Sequence, residues 1–184
     1  MLKALLGRQI GKMERQFDYD ASYLRQVLAV SPATFVKFGF VTQLVDRKAA
    51  PGEALAAAGI AGTLAEDCGP CTQISVDLAT QGGVDPAVLR AILAGDEAAM
   101  GETAALGWRF ARASMARDMA AADPLRDEIV RRWGDRGLMA ISMAVTTARM
   151  YPTLKYALGY GKACSRVTVA GKATPVVHLA PVVA

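Results

Sequence analysis

The chain has 184 residues, of which 53% are hydrophobic, and a formal net charge of +4. That length fits one domain that buries a sizeable core unaided, and it excludes the small disulfide-scaffolded secreted class. Arg126, Arg131, Arg132 and Arg136 alternate with Asp123, Asp127, Glu128 and Asp135. They read as a mixed-charge surface rather than a phosphate-binding stripe, so no nucleic-acid partner is expected.

Residues 2–16 read as an amphipathic helix, and Asp18 to Val30 as a second, short one. The basic, partly apolar start lacks a long apolar core and a cleavage site, so the expected location is cytoplasmic. Ser31-Pro32 is a helix start, with serine at the N-cap and proline in the first turn. Phe35, Phe38, Val41 and Leu44 follow on one apolar face. Val27 to Val45 is the stretch nearest to a membrane span. Pro32, Lys37 and Gln43 interrupt it, so it reads as a buried helix and no membrane partner is expected. Pro51-Gly52 breaks the chain, and an alanine-rich helix follows to about Leu64. The next helix starts near Asp67 and runs to about Thr80, before Gly82-Gly83. Asp85-Pro86 opens another, which ends near Gly95.

The longest helix is expected over Glu97 to Ala122, with Leu106, Phe110, Met115 and Met119 in the core. Asp123-Pro124 is a further start. A break follows Trp133-Gly134, Gly137 leads an apolar helix through Met150, and Pro152 opens a short one ended by Gly159 or Gly161. Met139, Met143 and Met150 read as core fillers, or as the lining of a pocket or an interface. Val167 to Val177 has β-branched residues around a Gly171-Lys172 turn, which fits a small hairpin or an extended arm. The expected organisation is one all-α helical bundle over residues 1–165 with an extended tail over 166–184.

Cys68-Gly69-Pro70-Cys71 places two of the three cysteines within one helical turn. With Asp67 as N-cap, Cys68 becomes the first helical residue and shares a face with Cys71. A thiolate there is stabilised by free amides and the helix dipole, and a second thiol one turn away can resolve a mixed disulfide. Glu66 and Asp67 oppose a thiolate but can carry a proton. A pair of small buried hydrophobes is the plain alternative. The four residues match the thioredoxin motif, but no strand–helix–strand pattern surrounds them. Cys68, Cys71, Cys164 and His178 could make a zinc site, although the last two have no ligand-like spacing. His178, the one histidine, reads otherwise as an ordinary tail residue. Tyr151-x-x-x-Lys155 has a dehydrogenase-like spacing without the glycine-rich loop such an enzyme needs.

A Cys-x-x-Cys pair opening a mid-chain helix of an all-α protein resembles the alkyl hydroperoxidase D and carboxymuconolactone decarboxylase superfamily. Glu66 to Gly95 carries the likeness: the motif, Leu78-Ala79, a glycine turn, then Asp85-Pro86 and a short helix. The resemblance implies a thiol–disulfide oxidoreductase or peroxide-handling protein with a redox-active Cys68–Cys71 disulfide and no other cofactor or metal. It implies a homo-oligomer, trimeric or hexameric, with a thiol electron donor or a peroxiredoxin as partner. In the redox branch a histidine follows the second cysteine by four residues, and here that position is Ser75. The relay glutamate position falls on Ala56, with Glu53 the next acid upstream. Cys68, Cys71, Ser75, Glu66, Asp67 and Glu53 are therefore the candidate site residues. Cys71 is the peroxide-reactive member by analogy, and Cys68 suits exchange with a partner. The Ser75 departure keeps two rivals open: a cysteine-independent decarboxylase-type enzyme acting on a small organic acid, and a non-catalytic oligomer.

Overall fold

A computed structural model of the chain describes residues 2–161 and 167–179. It is all-α, with α1 (Leu2–Phe17), α2 (Ser22–Val30), α3 (Pro32–Gly39), a 3₁₀ turn (Phe40–Leu44), α4 (Gly52–Ala65), α5 (Gly69–Gln81), α6 (Pro86–Ala94), α7 (Glu97–Met115) and α8 (Met119–Ala157). A two-stranded antiparallel hairpin, β1 (Val167–Val169) and β2 (Lys172–Thr174), follows in the tail.

The fold is organised around α4. Eight of its 14 residues are buried, among them Ala54, Ala57, Ala58, Ile60 and Ala61. Side chains this small let neighbouring helices come close. A Cβ on Gly107 of α7 would overlap the Ala54 carbonyl oxygen, and one on Gly62 would lie 3.1 Å from the Val145 carbonyl of α8. Trp108, Leu89, Ile92, Ile129 and Ile141 complete this main core. A second cluster holds α1 to α3 against the end of α8, where Ile10, Tyr19, Tyr23, Leu24 and Leu28 meet Tyr151, Leu154 and Leu158.

The helix starts follow their caps. Ser31 Oγ accepts from Thr34 N–H at 3.2 Å, and Asp85 and Asp96 cap α6 and α7. The expected long helix ends earlier, at Met115. Arg117 turns left-handed and Asp118 Oδ1 accepts from Ala121 N–H, so the next helix starts before Asp123-Pro124. The Gly134 break is present, at φ 69°. Gly101 makes a similar break in α7, at φ 76°. Pro152 opens no new helix. It lies buried inside α8.

Several burial expectations are corrected. Met119 and Met139 are exposed, while Leu106, Phe110 and Met115 are buried as expected. No residue of α3 or of the 3₁₀ turn is buried, so Val27 to Val45 is not the buried helix it was read as. Phe35 and Phe38 touch the second cluster only partly, and Leu44 faces outward. The hairpin turns at Ala170-Gly171, both left-handed, one residue before the expected Gly-Lys turn. No described helix is long and apolar enough to cross a membrane.

Candidate functional site

The turn between α4 and α5 builds the cysteine pair. Asp67 N–H donates to the Leu64 carbonyl at 3.0 Å and Cys68 N–H donates to the Thr63 carbonyl at 3.3 Å. With Asp67 left-handed at φ 48°, this is a Schellman stop for α4. Cys68 is therefore both the last residue of that stop and the N-cap of α5. This corrects the expected register, in which Asp67 capped the helix. Thr72 Oγ1 lies 3.0 Å from the Cys68 carbonyl oxygen and 3.1 Å from Thr63 Oγ1, fixing the start of α5 against α4.

Cys68 and Cys71 are bonded to each other, with Cα atoms 5.3 Å apart. Their expected place at a solvent-reachable helix mouth is not what the structure has, because Cys68 is 1% exposed and Cys71 6%. Over Cys68 the cover is the C-terminal tail. Val167, Val176, Val177 and His178 close a crevice over Leu64, Cys68, Gly69 and Thr72. Its volume is about 10 Å³, room for one water at most.

Two attachments hold the tail there. Gln73, on the first turns of α5, pairs with Thr168 as one peptide pairs with another. Its Oε1 accepts from Thr168 N–H at 2.7 Å, and its Nε2 donates to the Thr168 carbonyl at 3.0 Å and to Asp77 Oδ1 at 2.8 Å. Further along, Val177 N–H donates to the Leu93 carbonyl at 2.7 Å. Burial raises the Asp77 pKa above its ordinary value, and the bond from Gln73 works the other way.

The remaining expected site residues are divided among different tasks. Ser75 Oγ donates to the Cys71 carbonyl at 3.1 Å. Glu66 Oε1 takes both Nε and Nη2 of Arg149 at 2.6 Å, a part-buried ion pair. Asp67 keeps an exposed carboxylate, and its carbonyl accepts from Tyr156 O–H at 2.9 Å. Burial is the main cause raising the Tyr156 pKa, with Asp67 and Glu66 adding to it. Glu53 sits in the first turn of α4, about 18 Å along the helix axis from its cysteine end.

His178, weighed beside the cysteines only as a zinc ligand and otherwise expected to be an ordinary tail residue, comes to Cys68. It lines the crevice with Cys68, and its Nδ1 lies 4.0 Å from Asp67 Oδ1, within charge–charge reach but beyond a hydrogen bond. Gln73 and Arg149 were missed as well. The one signal available was that a chain with a close cysteine pair has a single histidine. Cys164, the other proposed zinc ligand, lies outside the described residues.

Arg149 also links this site to a second feature. An open groove of about 660 Å³ runs between α3, α7 and α8, lined by Phe38, Phe110, Met115, Val145, Met150 and Arg149. Its size is within the usual range for small-molecule sites, whereas the crevice at the disulfide is not.

No family model matches the chain, and neither does any curated protein or solved structure.

Proposed function

We propose that this protein is a thiol–disulfide exchange protein whose reactive disulfide, Cys68–Cys71, is gated by its own C-terminal tail. The observation that carries this reading is the pair's position. It sits at the N-terminus of a helix, beneath a tail segment that also delivers the only imidazole in the chain. The likeness of Glu66 to Gly95 to the alkyl hydroperoxidase D and carboxymuconolactone decarboxylase superfamily, whose redox branch carries such a pair, supports the same reading. So does magnitude. In the chain-entropy account, a disulfide closing so short a loop stabilises by roughly 2 kcal/mol, far less than one closing a long loop, which makes it a poor staple.

Exchange then proceeds in two steps. A thiolate from a partner dithiol attacks Cys68 Sγ. The Cys68–Cys71 bond breaks, a mixed disulfide forms at Cys68, and Cys71 leaves as a thiolate in the first turn of α5. The helix dipole and first-turn amides stabilise that charge. The partner's second thiolate attacks its own sulfur in the mixed disulfide and releases Cys68. The balance is one disulfide reduced and one formed, with two electrons transferred. His178, which lines the crevice with Cys68, moves the proton to the Cys68 sulfur as it departs in the second step, the task for which an imidazole suits neutral pH. Such a donor fits the thiol or peroxiredoxin partner the resemblance implies, and a homo-oligomer belongs to the same implication.

The gate has a cost that can be bounded. Val167 of the hairpin stays in place, and the part of the cover that opens is Pro175 to Leu179, which lines the crevice through Val176, Val177 and His178. That segment is held by one backbone hydrogen bond and three half-buried apolar side chains, Val176, Val177 and Leu179, together roughly 4 kcal/mol. The open state is then on the order of one molecule in a thousand, enough for exchange and slow compared with a bare disulfide.

The burial of both sulfurs favours one rival: a fixed cross-link in a non-catalytic oligomer. Incubation with dithiothreitol, followed by alkylation and mass spectrometry, separates the two. Exchange predicts full conversion to dithiol with the helical circular dichroism unchanged. Cys68→Ser and Cys71→Ser should each abolish reversible conversion. Retention of the disulfide until the protein unfolds would establish the cross-link instead.

A further inference from the structure

The net charge of this chain is not spread evenly. Residues 1–48 hold eight of the 21 basic and four of the 17 acidic residues, so they carry the entire +4, and the charges of the remainder cancel. The same stretch forms α1 to α3 and the 3₁₀ turn, with their own apolar cluster. Arg8, Lys12 and Arg15 recur on the outward side of α1, and all are exposed. Among the described residues no carboxylate lies within ion-pair distance of these three or of Lys37. In the rest of the chain Arg126, Arg131 and Arg132 have acidic partners and Arg136 pairs with Asp46 of the first unit, while Arg90, Arg112 and Arg117 have no such partner among the described residues, so the asymmetry lies in the net charge.

Apolar side chains stand uncovered on the same unit. Lys3 Nζ donates to the Ala29 carbonyl at 2.9 Å, which brings the first turn of α1 to the end of α2. Leu2, Leu5 and Val30 are exposed around that contact, Val30 by 80%. Directly after it, α3 and the 3₁₀ turn bury nothing and expose Phe40 and Leu44. Scattered surface leucines are ordinary, but uncovered apolar residues concentrated on the one basic unit are not.

We propose that this unit docks on the surface of an anionic lipid bilayer. The protein lies on the membrane and does not cross it. The occupant is chosen by charge. A second copy seated on this face would bring two +4 units together, which repel. A nucleic acid would neutralise the cations and leave Leu2, Leu5, Val30 and Phe40 without a purpose. Anionic headgroups take the lysines and arginines, while the boundary with the acyl chains takes the apolar side chains. Each basic residue near such a surface strengthens binding by a factor of about five. The proposal is independent of the redox reading, since no cysteine takes part.

The test is sedimentation of the full chain with vesicles of phosphatidylcholine alone, or of equal parts phosphatidylcholine and phosphatidylglycerol. The protein should sediment with the mixed vesicles only and should be released by high salt. Arg8→Glu with Lys12→Glu should weaken binding at least tenfold, and so should Val30→Asp with Phe40→Asp. Arg131→Gln, on the ion-paired surface, should leave binding unchanged. Thermal melts confirm that each variant is folded. If one variant set fails to fold, the other is decisive. Three results would overturn the proposal: no sedimentation, equal sedimentation with both vesicles, or binding unmoved by both sets. A dimer broken by Phe40→Asp, or binding of homopolymer RNA in place of vesicles, would overturn it in favour of those partners.

Discussion

Asp67 and His178 are 111 positions apart, yet they face each other beside Cys68. If His178 moves the proton during exchange, His178→Gln should slow dithiol exchange at neutral pH about tenfold or more while leaving the melting temperature in place. General acid–base catalysis supplies factors of this order, and the side chain is exposed enough to be replaced without a packing loss. An unchanged rate would remove His178 from the mechanism. Asp77 offers a separate check on the clasp it supports. Its folded pKa is raised by burial, so the folded state holds the proton more tightly than the unfolded state does. For an acid shifted this way, stability falls as pH rises from the unfolded value through the folded one, and the cost persists at neutrality. Asp77→Asn keeps an acceptor for Gln73 and removes the buried charge. The melting temperature of Asp77→Asn should match or exceed the parent at pH 7, and the difference should vanish in acid below both pKa values. Ser75 bears on the peroxide branch of the resemblance. Placing a base there by Ser75→His should raise hydroperoxide turnover, read as peroxide loss with a thiol reductant.

Helices were legible in this sequence where a side chain caps them. Ser31, Asp85 and Asp96 announce their helices, because a short oxygen acceptor beside first-turn amides has few other uses. The start of α5 was misread by one residue. The local pattern of an acid before a Cys-x-x-Cys turn does not reveal that Asp67 completes the Schellman stop of the preceding helix. The end of α7 was missed for a related reason. Arg117 adopts a left-handed turn that glycine usually marks, and the more obvious Asp123-Pro124 signal drew the boundary too late. The cover over the cysteines was not legible at all. Its hairpin is anchored by Gln73 pairing with Thr168, a contact across 95 residues with no periodicity to betray it. That cover gives a direct prediction. A chain ending at Thr174 should undergo disulfide reduction up to about a thousandfold faster than the full chain, measured by timed alkylation, because the roughly 4 kcal/mol gate is gone. Gln73→Ala should accelerate it less, since it loosens the hairpin and not the segment over Cys68. Equal rates for all three proteins would mean that the tail is not a gate.

The molecule as a whole divides its tasks between two clusters. The main core, centred on the small residues of α4, takes in the tail, and the disulfide lies beside it at the start of α5. The second cluster carries the net charge and the uncovered apolar residues. Between them runs the groove lined by Phe38 and Arg149, and the Arg149–Glu66 ion pair ties it to the turn that bears Cys68. The composition predicted a helical bundle with a real core, and the charge count was equally visible. Where that charge sits mattered more than its sum, and only the fold shows that it coincides with α3 and a 3₁₀ turn that bury nothing. All of this gives the protein a redox function only if the covered sulfur pair opens and closes while the fold stays intact. A redox titration of the intact chain in glutathione buffers, with alkylation and mass spectrometry reporting the Cys68–Cys71 state beside circular dichroism, measures that directly. The account predicts a reversible two-electron transition within the buffer range at constant helicity. A pair that stays oxidised across the whole range, or that is reduced only as the helices melt, would contradict it.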